Sequence, residues 1–260
     1  MKQKALPLPL DVRLMNITAT VLFSGFALLL LGALGGWALR HPVFAIGGIV
    51  VQGDTSHNSV ATLRANVMPR LRGNFFTVDL QKAREAFESV PWVRQATVKR
   101  QFPNRLRVVL QEHRPEALWG ADSESHLVNT YGEVFEANSG DVEQDDLPRL
   151  VGPEGSAPQV LAMYRGLQPM LQKLDLSVEA VTLTGRGGWS IGLDSGATVE
   201  LGRGTTEEVL ARSRRFASTL TQVTAKYGRR PEALVTADLR YTDGYAVKLR
   251  GVTTTGTQGN

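Results

Sequence analysis

Cysteine is absent from all 260 residues. That excludes disulfides, thiol nucleophiles and thiolate metal sites, while leaving the compartment open. Histidine is scarce: His41, His57, His113 and His126 stand far apart, with no HExxH or other paired-ligand spacing. Surface or hydrogen-bonded histidines are therefore expected, and no metal site. No GxxxxGK[ST] occurs, and Gly202-Arg203-Gly204 reads as a turn ahead of a helix, not as a dinucleotide fingerprint. Gly188-Trp189-Ser190-Ile191-Gly192 matches G-x-S-x-G. However, a further strand follows where a nucleophile elbow needs a helix, and no histidine lies beyond Ser190 to complete a triad. The acid pair Asp145-Asp146 sits in a loop with nothing to place a substrate cleft. The chain reads as no enzyme, with no cofactor and no small-molecule substrate.

What the sequence does have is one long apolar run. "LMNITATVLFSGFALLLLGALGGWAL", residues 14–39, carries no charge. As a helix it would reach roughly 39 Å, more than the ~30 Å hydrocarbon core of a bilayer. A cleaved signal peptide would have a shorter apolar region and a small-x-small cleavage site, so a retained anchor is the favoured reading. Trp37 suits the far interface. Lys2, Lys4 and Arg13 precede the run, and only Arg40 follows nearby. That asymmetry places residues 1–13 in the cytoplasm and the bulk of the chain on the other side, a single-pass type II arrangement. Gly32 and Gly36 form a GxxxG pair, for which ordinary tolerance of glycine is favoured and a homodimer face stays open.

The isoelectric point of 9.5 invites a nucleic-acid reading. Of the net +4, residues 1–40 hold +3, which leaves residues 41–260 close to neutral. The densest basic patch is "VPWVRQATVKRQFPNRLRVVLQEHRP", residues 90–115, with Arg94, Lys99, Arg100, Arg105, Arg107 and Arg114 against Glu112. Alternation on both sides of Pro103-Asn104 marks a half-buried hairpin. Ala96, Val98 and Phe102 line one side of its first half, and Leu106, Val108 and Leu110 point inward in its second. Most of the basic side chains fall on the wet face, so no nucleic-acid partner is expected. Residues 116–148 hold nine acids and no Lys or Arg: Glu116, Asp122, Glu124, Glu133, Glu136, Asp141, Glu143, Asp145 and Asp146. These acids, or a charged partner, are expected to neutralise part of the hairpin.

Ahead of the hairpin, "FAIGGIVVQGD" reads as a strand with a Gly-Asp turn. "SVATLRANVMP" reads as a short helix that Pro69 closes. "TVDLQKAREAFESV" reads as a second helix with Leu80, Ala83, Phe87 and Val90 on one face, and Thr77 or Asp79 as its cap. Beyond residue 115, hairpins are interrupted by two helices. "APQVLAMYRGLQPMLQKL" carries Val160, Tyr164, Leu167, Leu171 and Leu174 at helical spacing. "TTEEVLARSRRFASTLTQVTAKYG" carries a Thr205/Glu208 capping box and a stripe of Val209, Ser213, Phe216, Leu220, Val223 and Tyr227. "AVTLTGRGGWSIGLDSGATVELGRG" reads as three strands, and "ALVTADLRYTDGYAVKLR" as two around Thr242-Asp243-Gly244. Residues 251–260 show no apolar pattern and read as a disordered tail. The fold class is α+β: a transmembrane helix, a β-α-α-β-β domain over 43–114, and a second mixed α/β domain with an antiparallel-rich sheet over 115–250.

The order strand–helix–helix–strand–strand after a membrane anchor resembles a POTRA domain. "VPWVRQATVKRQFPNRLRVVLQEHRPEALW" resembles the signature of the bacterial cell-division family FtsQ/DivIB. "LPRLVGPEGSA", "ELGRGTTEEVLAR" and "ADLRYTDGYAV" are similar to later stretches of that family in order and spacing. The resemblance implies a divisome scaffold in the cell inner membrane at the septum, its C-terminal bulk periplasmic. It also implies a POTRA-like domain that engages other division proteins, and a second domain that docks FtsB and FtsL by strand addition. The last strand, "YAVKLR", would be the template for that addition if nothing covers it. The positions implied are Arg203, Arg240, Tyr241, Asp243, Gly244, Tyr245 and Val247, with Tyr241 as an aromatic anchor and Arg203 facing an acidic partner residue. The alternatives are a membrane-anchored POTRA module that handles translocating polypeptides, and an envelope enzyme acting on the cell wall.

Overall fold

A computed structural model describes residues 10–39, 41–121, 125–137 and 147–252. The chain divides into two compact units between Gln111 and Glu112. Five α-helices and twelve strands are found among the described residues, which gives the mixed class expected.

The first helix, α1, runs Leu10–Leu39. Its Leu10–Trp37 stretch has a mean hydropathy of 2.2 and buries none of its most apolar window within the protein. Leu22, Phe23, Phe26 and Leu29 are all exposed. A helix apolar all round, with its most apolar window left unburied by the described residues, is satisfied by lipid. Its polar groups look after themselves: the hydroxyls of Thr18 and Thr20 donate to the carbonyls of Leu14 and Asn16, at 2.9 and 2.7 Å. α1 has the length and composition of a transmembrane anchor.

The rest of the first unit follows the expected order. Strand β1 (Gly48–Gly53) leads to α2 (Val60–Val67) and α3 (Leu80–Glu88), then β2 (Val93–Gln101) and β3 (Arg105–Glu112). β3 is central, in the order β1-β3-β2, and pairs in parallel with β1 from Gly48↔Arg105 to Gly53↔Leu110. Ser59 caps α2 by accepting from Thr62 N, and Asp79 caps α3 by accepting from Gln81 N and Lys82 N. Pro69 sits inside a short 3-10 turn, Met68–Arg70, that continues α2. Leu63, Val67, Phe87, Val93, Val108 and Leu110 form the core.

Trp92 stands at the entry to β2 with φ +72° and stacks on His57, the ring centroids 3.9 Å apart. One inward assignment in the hairpin is corrected: Phe102 is 79% exposed. β2 ends at Gln101, and Arg100, itself exposed, reaches across that end of the sheet. Its guanidinium donates to the carbonyls of Phe75, Phe76 and Val78 at 2.7, 3.2 and 2.7 Å. One of the six basic side chains is thus a structural clasp.

The second unit is built on a nine-stranded sheet. Its strands are β4 (Pro115–Trp119), β5 (His126–Asn129), β6 (Val134–Glu136), β7 (Arg149–Val151), β8 (Val178–Leu183), β9 (Gly188–Leu193), β10 (Thr198–Arg203), β11 (Leu234–Asp238) and β12 (Ala246–Leu249). Their order is β12-β11-β10-β9-β8-β7-β4-β5-β6. Helix α4 (Ala157–Gln172) joins β7 to its parallel neighbour β8, and α5 (Thr206–Ala225) joins β10 to its parallel neighbour β11. Both helices are therefore crossovers, which parallel neighbours require. β8–β9, β9–β10 and β11–β12 are antiparallel, as are β4–β5 and β5–β6.

Alternation decides which face is dry. Trp189, Ile191, Leu193, Val199 and Leu201 are buried with Val160, Leu167 and Leu171 of α4 and Val209, Phe216 and Leu220 of α5. Burial of each large side chain contributes about 1.5–3 kcal/mol. The α5 capping box is present in full: Glu208 N donates to Thr205 Oγ1, and Thr205 N donates to Glu208 Oε2. The stripe differs at its end. α5 stops at Ala225, Thr224 takes the last buried position, and Tyr227 is exposed. Leu174 lies just past α4 and packs on the core from there.

Candidate functional site

The sheet ends at β12, and no strand lies on its outer side among the described residues. β12 pairs with β11 through Thr236↔Lys248, Ala237↔Val247 and Asp238↔Ala246. An edge of this kind leaves one row of backbone donors and acceptors for another chain. Thr198, Glu200, Thr236, Ala246 and Lys248 are exposed on the face away from the helices, and the last three strands form a shallow groove of about 390 Å³ there.

The expected residues gather around the end of this edge. Arg203 closes β10, and its carbonyl accepts from Arg212 of α5 at 2.5 Å, while Arg212 Nε donates to Leu201 O at 3.1 Å. The clasp holds a bulge at Glu200/Gly202, where Gly202 adopts φ +81°. Only glycine takes that backbone without strain, and an added Cβ would meet Arg240 Cγ at 3.1 Å. Arg240 follows β11 and chelates Asp238, Nε to Oδ1 at 2.8 Å and Nη2 to Oδ2 at 2.6 Å. Hydrogen bonding from Arg240 holds the Asp238 carboxyl below its ordinary range and raises the guanidinium in turn. Arg186, Arg203, Arg212 and Arg240 meet with Glu200 around a depression of about 600 Å³, a basic surface suited to a carboxylate.

The loop between β11 and β12 presents two kinds of residue. Tyr241 is 60% exposed, and Asp243 and Gly244 are exposed beside it. Tyr245 and Val247 turn inward and pack on the core. The Tyr245 ring meets Phe216 edge-on at 5.0 Å, and its hydroxyl shares a 2.8 Å hydrogen bond with Thr219. The candidate set thus divides into outward side chains (Arg203, Arg240, Tyr241, Asp243), the exposed Gly244, and the inward-packed Tyr245 and Val247. Sequence reasoning missed Arg186 and Arg212. Arg212 lies seven residues after the Thr205 cap, two helical turns along, which places it on the sheet side of α5. Arg186 lies in a hairpin turn and carries no such signal.

Other candidates resolve into structure. Gly188–Gly192 lies within β9, with Ser190 paired across to Thr182 and Glu200, so no elbow is formed. No group of three His, Asp or Glu suited to a metal is found among the described residues. Of the nine acids after residue 115, Asp122, Glu124, Asp141, Glu143, Asp145 and Asp146 lie outside the described residues, as do residues 253–260 of the expected tail. The other three are engaged inside the second unit. Glu116 binds Arg165, Glu133 accepts from Asn129 and Glu136 pairs with His126.

Two family models match the chain. Residues 44–113 match the POTRA domain, FtsQ-type, and residues 117–240 match the cell division protein FtsQ/DivIB, C-terminal. The cell division protein FtsQ of Burkholderia pseudomallei is 42% identical over 93% of this chain and 94% of its own length. That of Thiomonas arsenitoxydans is 40% identical over 94% and 90%. That of Bordetella pertussis is 38% identical over 92% of both chains. With the anchor, the β-α-α-β-β unit and the open-edged sheet in their expected order, the chain belongs to the FtsQ/DivIB family of cell-division proteins.

Proposed function

We propose that this chain is a single-pass scaffold of the division machinery that acts by protein–protein contact and carries out no bond-breaking of its own. In this reading α1 sits in the inner membrane with its basic N-terminus in the cytoplasm, and both units lie in the periplasm at the septum. The charge asymmetry around α1 supports that topology. The first unit engages other division proteins. The second docks FtsB and FtsL by adding a partner strand to β12 and helps regulate septal peptidoglycan synthesis. Residues 1–13, 14–39, 43–114, 115–250 and 251–260 serve as cytoplasmic segment, anchor, POTRA domain, docking domain and tail.

The observation that carries the docking reading is the outer side of β12, on which no strand lies among the described residues, with Tyr241 exposed in the loop before it and four arginines gathered at the end of the sheet where β10 and β11 finish. An added strand gains affinity from main-chain hydrogen bonds, and its side chains give register. Tyr241 supplies a rigid aromatic contact, and Arg203 a charged hydrogen bond to an acidic side chain of the partner.

The test is the affinity of the full chain for a soluble FtsB segment. Tyr241→Ala is expected to weaken it roughly 30-fold, about 2 kcal/mol, and Arg203→Glu to weaken it further. Unchanged affinity in both variants, with the fold intact, removes this edge from the interface.

A further inference from the structure

The first unit carries an aromatic cluster that its own core does not need. Phe44 and Phe76 meet edge-on at 4.9 Å, Phe75 and Phe76 at 5.1 Å, and Phe75 and Phe102 at 6.4 Å. Only Phe75 is buried. Phe102 is 79% exposed, Val43 64% and Phe76 44%. The patch is held in place: Phe75 N donates to Phe44 O at 2.8 Å, and Arg100 pins the carbonyls of residues 75, 76 and 78. A fixed apolar patch on a soluble surface marks something that covers it.

The chain itself limits what that can be. α1 ends at Leu39, and Val43 is four residues on, so Val43 is tethered within about 14 Å of the end of the membrane helix. Trp37, exposed on the last turns of α1, is the residue type that sits at the level of the headgroups. With Val43 only six residues beyond Trp37, Val43 and the rings of the same unit cannot travel far from the interface. Arg72 and Arg105, both exposed, each lie three residues from a ring of the cluster, a charge that suits anionic headgroups.

We propose that Val43, Phe76 and Phe102 form a wedge that seats the first soluble unit on the surface of the bilayer α1 crosses, its rings in the headgroup layer. The wedge restricts the swing of the unit about its tether and so presents it at a fixed height and tilt to its neighbours. The inference rests on α1 being a membrane anchor.

The absence of cysteine gives a clean background for the test. Nitroxide is attached to single-cysteine variants of the full chain at Phe102, Phe26 and Gln95 in nanodiscs of phosphatidylethanolamine and phosphatidylglycerol. Collisional accessibility to oxygen and to a water-soluble nickel chelate is then compared. Gln95 is the aqueous reference, seven residues along β2 and roughly 23 Å from Phe102. The expected result is an oxygen-to-nickel ratio at position 102 several-fold above that at 95 and below that at 26. Adding Phe76→Asp to the Phe102→Cys chain should return the ratio several-fold toward the aqueous value. An aqueous ratio at 102 with position 26 in hydrocarbon overturns the wedge and leaves the anchor standing; the patch then belongs to a protein neighbour. A ratio at 102 that ignores Phe76→Asp also overturns it, since the label alone would be inserting. An aqueous ratio at 26 removes the anchor and the wedge together.

Discussion

Arg240 grips Asp238, two residues before it, with both arms of its guanidinium, at 2.8 and 2.6 Å, while the Arg240 amide donates to the same carboxylate at 3.0 Å. The pair bridges the end of β11 and the start of the loop that carries Tyr241. Both side chains reach solvent, so the pair adds little to stability. Its effect is placement: a forked, planar contact fixes a long side chain that would otherwise sample many rotamers.

Asp238→Asn should therefore separate placement from folding. The amide keeps the shape and loses the charge, so stability is expected to change by less than about 0.5 kcal/mol. Affinity for the FtsB segment should fall several-fold, because Arg240 must then be ordered on binding. Urea denaturation and a binding titration on the same sample make the comparison. A variant that binds as tightly as the parent shows that the order of Arg240 does not matter.

The same pair sets a pH dependence with a definite sign. The Asp238 carboxyl is lowered in the folded chain, first by the Arg240 hydrogen bond, from an ordinary value of 3.8. A depressed carboxylate contributes fully above its unfolded value and loses that contribution as pH falls through its folded value. The contact should hold at pH 4 and open only below it. Carboxyl carbon shifts followed by NMR would show a midpoint for Asp238 under 3.8; a midpoint above that contradicts the chelate.

Much of this was legible in the residues because periodicity reports burial directly. The capping box at Thr205 and Glu208, the alternation of Leu106, Val108 and Leu110, and the strand pair around Thr242–Gly244 are all short-range patterns with short-range causes. Errors fell where another group intervened or an element stopped short. Phe102 continues the inward alternation of β2, but Arg100 reaches the carbonyls of the 75–78 loop from the same face and leaves the ring outside. Tyr227 continues the α5 stripe on paper, but the helix ends two residues earlier. The engagement of Glu116 by Arg165 has no local signature, since the two lie 49 residues apart in sequence, whereas the Arg212 clasp on the β10 bulge joins neighbouring elements.

The two tyrosines of the β11–β12 loop should behave in opposite ways. Tyr245→Phe removes the hydrogen bond to Thr219 and is expected to cost about 1 kcal/mol of stability. It should leave partner affinity unchanged, because the ring already faces Phe216. Tyr241→Ala should leave stability within about 0.5 kcal/mol and lower affinity. Thermal denaturation and binding measured on both variants test the pair. A drop in affinity for Tyr245→Phe would place that hydroxyl in the interface.

Trp92 offers a sharper test of the first unit, because its backbone and its side chain pull in different directions. The ring is 3% exposed and stacked on His57, so Trp92→Ala should cost about 3–5 kcal/mol. The backbone sits at φ +72°, where an L side chain costs roughly 1–2 kcal/mol. Glycine escapes that cost. In ordinary strand or helix positions glycine is less stable than alanine by about 0.5–1 kcal/mol. Here the order should reverse, with Trp92→Gly at least as stable as Trp92→Ala. Chemical denaturation of both variants decides it: if alanine proves more stable, Trp92 carries no backbone strain, and the packing of the ring alone accounts for tryptophan at this position.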